Sequence, residues 1–461
     1  MLDLIASVLV RGLSTLLYFT PIRLNLWLGR RIGILAYLLS GNRKHITYAN
    51  LKAAFCGEKS TKEIKRITKD AYRNMVQIFV ELLSFKKVDR QYLEKFVKVT
   101  NPEYLEEALN SDRGIVFLSA HFGNWELGTA KSSARGCPLH LIARDQKMKR
   151  LNELLNLLRE SKGNIVIRKG ADIKNVFRVL HQGKGVGMLA DQNAGAHGIL
   201  IDFFGRPAST VVGPYRFAQK SGAVILTALV HREEGPYHRI VLGKPMTIGK
   251  KEDVTPYMAR YNDILEENIR VHPDQWLWMH KRWKLTPLKK VLVLNDGKKG
   301  HLNQSLAVVE EIKKYRRDEG YKEEHLKVDV VNVKFRNDLR KGIFRSLTPL
   351  VNSNCQGRLM LLKFALDKET FRDITGRYAD VIVSCGSSLS GINKVLKKEN
   401  YARNITVLDP GALNRKAFDV IVIPRHDVEK RHSVTSHPPL PSLRTYGRGR
   451  QSPDQKRSRI M

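Results

Sequence analysis

The sequence predicts an α/β protein of two successive units, with amphipathic helices before them and an irregular tail after them. Strand-like apolar runs alternate with helical patterns between residues 114 and 230. The alternation starts afresh at Val291, and all periodicity stops after about His432. The implied segments are N-terminal helices over 1–45, α/β units over 46–286 and 290–430, and a disordered basic tail over 431–461.

With 461 residues, 42% of them hydrophobic, the chain is long enough for two real cores and too apolar to be disordered throughout. Lys and Arg number 80 against 45 Asp and Glu, a formal charge of +35. Such a surface attracts nucleic acid, anionic lipid or an acidic macromolecule. A nucleic-acid-binding protein is the weaker reading, because no zinc-finger spacing, helix-turn-helix or RNP-type aromatic pattern is present. The four cysteines, Cys56, Cys137, Cys355 and Cys385, form no C-x-x-C pair, so neither a disulfide framework nor a metal site is expected.

From Met1 to Thr20 the apolar run is interrupted by Asp3, Ser7, Arg11, Ser14 and Tyr18, which share one helical face, and Pro21 ends the helix. A wet stripe predicts a helix lying in the membrane interface or packed along the protein, with a single span as the alternative. Ile22–Ser40 adds Trp27, Tyr37, Arg23, Arg30 and Arg31, the aromatic and cationic mixture of a headgroup layer.

In the first unit the strands expected are Gly114–Ala120, His140–Arg144, Asn164–Arg168, Gly185–Ala190 and Ala223–Val230, with helices over Lys147–Glu160 and Ala171–His181. At the first strand exit, His121-Phe122-Gly123-Asn124-Trp125-Glu126 turns at Gly123 into a helix. His121 therefore lies at a strand's carboxyl end and Glu126 in the first helical turn. A carboxylate there can accept the proton on one imidazole nitrogen and leave the other as a general base. Asp191 and Gln192 follow a later strand onto the same edge and are expected to shape the site or bind substrate.

Four motifs in order, His121–Glu126, Ala190-Asp191-Gln192, Phe203–Thr210 and His272–Lys284, together with Asn50-Leu51, resemble the lauroyl and myristoyl transferases of lipid A biosynthesis, in the lysophospholipid acyltransferase superfamily. The resemblance spans about residues 1–284. It implies transfer of an acyl chain from an acyl carrier protein thioester, or acyl-CoA, to a hydroxyl of a lipid A precursor or related glycolipid, with no cofactor and no covalent acyl-enzyme. His121 would deprotonate the acceptor and Glu126 would orient it. Arg159 would supply stabilising charge, Arg144 and Arg168 would meet acceptor phosphates, and Phe203–Thr210, Thr210 included, would help line the acyl groove. A lysophospholipid is the alternative acceptor. No G-x-S-x-G elbow competes, because Ser384–Gly391 lacks its spacing. The implied location is the cytoplasmic face of a bacterial inner membrane, peripheral or single-pass.

In the second unit, strands at Val291–Asn295, Leu326–Val333, Asp380–Ser384, Ile405–Leu408 and Asp419–Ile423 predict a Rossmann-like sheet. DGKKGHLNQS from Asp296, VIVSCGSS from Val381 and IVIPRHD at Ile421–Asp427 resemble the mitochondrial-fission Elm-like family, organised like two-Rossmann glycosyltransferases. The first of these loops lacks Walker and dinucleotide spacings. Gly297, Gly300, His301 and Gln304 are its candidates for holding a phosphate or sugar. The unit reads as one half of such a fold, and the Pro-, Ser- and Arg-rich segment from Ser433 reads as a frameshifted or degenerate remnant of the other half.

Overall fold

The computed structural model describes residues 2–143, 148–168, 173–352, 356–411 and 413–424. Arg144, Cys355 and the tail 431–461 lie outside them. The chain divides into two units, Met1–Asn50 with Arg66–Thr286, and Leu51–Lys65 with Pro287–Met461.

The first unit is built on a seven-stranded sheet. Its strands are β1 (Val97–Thr100), β2 (Ile115–Ser119), β3 (Leu139–Ala143), β4 (Ile165–Arg168), β5 (Gly185–Leu189), β8 (Val224–Glu234) and β9 (Tyr237–Leu242), and β6 (Ile199–Asp202) with β7 (Pro207–Thr210) form a separate hairpin. The order is β1-β9-β8-β2-β5-β3-β4, parallel throughout except where β8 meets β9. Helices cover the central strands, so β2 buries Ile115, Val116, Phe117 and Leu118 on both faces and shows no alternation. The predicted strands are all present. β1, β9 and the β6–β7 hairpin were not expected, because short runs holding Lys98, Arg239 or Asp202 do not read as buried strands.

At the N-terminus, helices Leu2–Phe19 and Ile22–Leu39 meet at Pro21 as expected, but the two serines of the polar stripe face inward, while Arg11 and Tyr18 stay exposed. Ser7 and Ser14 are buried, each satisfying its hydroxyl on a carbonyl: Ser7 on Leu4, Ser14 on Leu83 at 2.6 Å. Asp3 accepts from the backbone N–H groups of Arg150 and Leu151, capping the helix Lys149–Glu160. The apolar side faces out, with Leu9 66% and Phe19 77% exposed and Leu38, Leu39 and Trp27 exposed on the second helix. A hydroxyl can be buried once it is hydrogen-bonded, which frees the larger apolar side chains to project. Among the described residues no helix is long and apolar enough to cross a membrane.

The second unit carries a five-stranded, all-parallel sheet of β10 (Lys289–Asn295), β11 (Leu326–Asn332), β12 (Val381–Cys385), β13 (Arg403–Val407) and β14 (Val420–Val422), in the order β11-β10-β12-β13-β14. Its core is formed by Leu292, Leu294, Phe344, Ile382, Ile392 and Leu396. The segment Leu51–Lys65 groups with this unit, although the sequence reading assigned it to the first. Lys52 is buried against Glu399 at 3.2 Å, and the Cys56 thiol donates to the Gly376 carbonyl.

Candidate active site

The motif after β2 divides its labour residue by residue. Phe122 is fully buried and pairs with Trp276. Gly123 has φ +53°, and a Cβ there would lie 1.9 Å from the Val230 carbonyl oxygen, so only glycine fits. Asn124 caps the helix Trp125–Ala134 and donates to Glu81 at 2.7 Å. Glu81 also takes both terminal nitrogens of Arg232, each at 2.6 Å. Burial alone would raise its carboxyl, but Arg232 and His238 outweigh burial and hold it down at about 2.

His121 stands at the mouth of this frame, its side chain 20% exposed. Its partner is Asp191. Nδ1 lies 2.8 Å from Asp191 Oδ1, and Asp191 Oδ2 accepts from the Trp276 indole at 2.9 Å. Register explains the match: β2 and β5 run parallel with Ser119 opposite Leu189, so residues two steps beyond each strand sit side by side on the same face. Burial disfavours the imidazolium, yet Asp191, and then Glu126, raise the His121 pKa above its ordinary value. Asp191 is held below the usual carboxylate range by His121 and Trp276 despite its burial. With Nδ1 committed, Nε2 is the remaining ring nitrogen, and the Gln192 amide lies 3.4 Å from it.

Glu126 does not make the hydrogen bond to His121 that its spacing suggested. The Arg159 guanidinium clamps it instead, Nη2 at 2.7 Å and Nε at 3.0 Å, and the Trp125 indole donates at 3.1 Å. Glu126, in the first turn of its helix, meets Arg159 on the neighbouring helix Lys149–Glu160, while the strand-exit carboxylate of Asp191 reaches the imidazole. Glu126 therefore acts on His121 through its field alone. Arg159 is adjacent to the pair, as expected, but its donors are engaged by Glu126 and Asn156.

Thr210 is fully buried. Its hydroxyl donates to the Ala208 carbonyl and accepts from Arg282 at 2.8 Å, so it faces no opening and cannot touch substrate. Phe203 and Phe204 likewise pack into an aromatic cluster with Trp276, Trp278 and Trp283. Arg282, within the His272–Lys284 motif, is buried, has no carboxylate partner among the described residues and lies 5.3 Å over the Phe203 ring. Burial lowers its pKa to about 10, partly offset by Asp191. Asn50 donates to the Trp278 and His280 carbonyls, both at 2.8 Å, which accounts for the Asn of the Asn-Leu pair. Arg168 ends β4, while Arg144 lies outside the described residues.

In the second unit, His301 Nδ1 lies 2.9 Å from Asp296 Oδ2. Gln304 accepts from the Cys385 thiol at 3.1 Å. Gly297 has φ +85° and is exposed, whereas Gly300 has open space around it and no need to be glycine.

The comparisons with known proteins fall mainly on the first unit. The family model described as bacterial lipid A biosynthesis acyltransferase matches residues 2–285. A second model, described as mitochondrial fission ELM1, matches residues 299–447. The Escherichia coli lipid A biosynthesis palmitoleoyltransferase is 25% identical over 265 residues, 57% of this chain and 85% of that protein. The lauroyltransferase of the same organism is 23% identical over 269 residues, 56% of this chain and 85% of its own. A phosphatidylinositol mannoside acyltransferase from Mycobacterium tuberculosis is 26% identical over 186 residues, 39% of this chain and 58% of that protein. The chain is an acyltransferase and belongs to the bacterial lipid A biosynthesis acyltransferase family.

Proposed function

We propose that the chain transfers a fatty acyl group from a carrier-bound thioester to a hydroxyl of a lipid A precursor or closely related glycolipid, with His121 as general base and Asp191 as its orienting partner. The observation that carries this reading is the His121–Asp191 hydrogen bond, which leaves the base on Nε2, beside the Gln192 amide at the carboxyl edge of the sheet. Nε2 takes the acceptor's proton as its oxygen attacks the thioester carbonyl. The tetrahedral intermediate then expels the thiolate, and the imidazolium returns the proton to sulfur, so the enzyme ends unchanged. Glu126, neutralised by Arg159, supports the imidazolium electrostatically. An acyl carrier protein, itself acidic, suits the basic surface as donor. Acyl-CoA offers the same reacting bond.

The outward apolar face of the N-terminal helices supports peripheral docking on an anionic bilayer, the cytoplasmic face of a bacterial inner membrane. Arg31 lies over the Trp27 ring at 5.1 Å, a pairing suited to a headgroup layer. Phosphatidylinositol mannoside acyltransferases among the relatives extend the acceptor class from lipid A precursors to other glycolipids.

The test incubates purified protein with acyl carrier protein thioesters and, in separate reactions, a lipid A precursor, a phosphatidylinositol mannoside and a lysophospholipid. Glycolipid acylation that His121→Ala lowers by about 10²–10⁴-fold supports the reading. Acylation confined to the lysophospholipid, or undiminished in His121→Ala, overturns it.

A further inference from the structure

The second unit carries an apolar face that its own core does not take up. Between β11 and β12 the chain forms the helix Asp338–Leu347, a short turn to Leu350 and the helix Met360–Ala365. The first of these helices is anchored by Phe344, fully buried in the core, with Thr348 buried one turn later. Leu339, Ile343 and Leu347 recur every four residues and line an adjacent side that is exposed. Leu339 is 73% exposed, Leu350 76% and Met360 81%, and Phe364 is exposed as well. The two helices pack together, and Arg340 ties them: its guanidinium lies 5.1 Å over the Phe364 ring, and Nη1 donates to the Phe364 carbonyl at 3.4 Å. The six apolar side chains therefore belong to one surface.

Its rim is cationic. Residues 334–365 hold Lys334, Arg336, Arg340, Lys341, Arg345, Arg358 and Lys363 against a single acid, Asp338. All but Arg340 and Lys341 of these basic side chains are exposed. Asp367, just beyond, is engaged within the fold: it caps the helix Lys368–Gly376, accepting from the Glu369 and Thr370 backbone N–H groups and from the Thr370 hydroxyl. Lys341 lies 5.5 Å from the Phe335 ring, as Arg340 lies over Phe364, so both stems run along apolar surface with their charge at its edge. This arrangement selects among occupants. The chain from Arg425 onward has nine Lys and Arg against three Asp and Glu, and a second copy would bring the same positive rim, so both meet like charge. A protein partner would need hollows to match side chains as prominent as Leu350 and Met360, whereas fluid lipid admits them anywhere. Apolar tips ringed by Lys and Arg suit an anionic bilayer.

We propose that this face of the second unit docks on an anionic lipid bilayer. Leu339, Leu350 and Met360 enter the acyl layer, and Arg345, Arg358 and Lys363 meet the lipid phosphates. The contact is separate from that of the N-terminal helices and stands independently of the acyl-transfer reading.

Hydroxyl-radical footprinting of the full chain, read by peptide mass spectrometry, reports this face directly, because Met360 is exposed and its thioether oxidises readily. Without lipid, Met360 should oxidise fast and the buried Met258 slowly. Phosphatidylglycerol vesicles at ten times the dissociation constant are expected to slow Met360 oxidation about tenfold, with Tyr315 and Tyr401, exposed elsewhere in the unit, unaffected. Phosphatidylcholine vesicles should protect far less. Protection should persist in a chain carrying Leu9→Glu and Leu16→Glu, where the N-terminal contact is weakened. In that background, Leu339→Glu with Leu347→Glu should raise the lipid concentration needed by more than about tenfold. Arg345→Gln with Lys363→Gln should raise it about 25-fold, at about fivefold per charge. Met360 left fully reactive at saturating phosphatidylglycerol overturns the proposal; if the chain still sediments with the vesicles, the N-terminal contact stands. Equal protection by phosphatidylcholine overturns the role given to the basic rim. Met360 oxidation that slows with protein concentration alone assigns the face to a second copy, and protection by an acidic carrier protein but not by vesicles assigns it to a protein. Met360 as unreactive as Met258 in dilute, lipid-free protein assigns it to another part of this chain, and any of these three results overturns the proposal.

Discussion

Nδ1 of His121 lies 2.8 Å from Oδ1 of Asp191, two residues that are 70 positions apart in the chain and adjacent only because β5 pairs with β2. That bond selects the tautomer with its lone pair on Nε2, the nitrogen beside the Gln192 amide.

Asp191→Asn should cost about 10²–10⁴-fold in kcat, because an amide presents a donor to Nδ1 and favours the tautomer without a free base. Glu126→Gln should cost less, since it removes only a charge. Steady-state kinetics on the two variants rank the two carboxylates. A larger loss in Glu126→Gln would restore it as the primary partner.

The pH profile follows from the same groups. The base must be neutral, and Asp191 and Glu126 raise the His121 pKa, so activity should rise with pH through a limb above the ordinary imidazole value of 6.5. Removing the Glu126 charge stabilises the imidazolium less and should move that limb toward lower pH. Measuring kcat against pH for wild type and Glu126→Gln checks the sign.

Arg159→Met leaves Glu126 buried and charged without its clamp. A loss of about 2–3 kcal/mol is expected by denaturant unfolding. The acid limb should also move up, because Arg159 normally lowers the His121 pKa. A purely structural role would leave the limb in place.

Glu81 carries a depressed carboxyl, so the stability it contributes is fully present above its ordinary value of 4.5 and is lost as pH falls toward about 2. Glu81→Gln should strand Arg232 and lower stability at pH 7 by about 3–5 kcal/mol. It should also flatten the acid end of the stability profile, which thermal unfolding against pH would record.

Leu9→Glu with Leu16→Glu should weaken sedimentation with anionic vesicles by more than about tenfold, since each side chain gives up about 1.5–3 kcal/mol of apolar burial in lipid. Turnover on a detergent-solubilised acceptor should stay unchanged. Vesicle binding at wild-type strength would remove these helices from the membrane contact.

Much of the protein was legible in its residues. Apolar runs of four to eight placed the central strands, because a parallel strand covered on both faces must be apolar throughout. The turn at Gly123 placed His121 at a strand exit, and Asp296 and His301 were on the page with their loop. Two matters belonged to the tertiary structure alone. One is which carboxylate meets His121, since strand order is a long-range choice that local periodicity does not encode; Glu126 was nearer in sequence and Asp191 nearer in space. The other is which side of the first helix faces out, because a polar stripe predicts exposure only until Leu83 and the helix Lys149–Glu160 offer Ser14 and Asp3 their hydrogen bonds. Periodicity determines that a helix has two faces. Partners supplied by the rest of the fold determine which of them is buried.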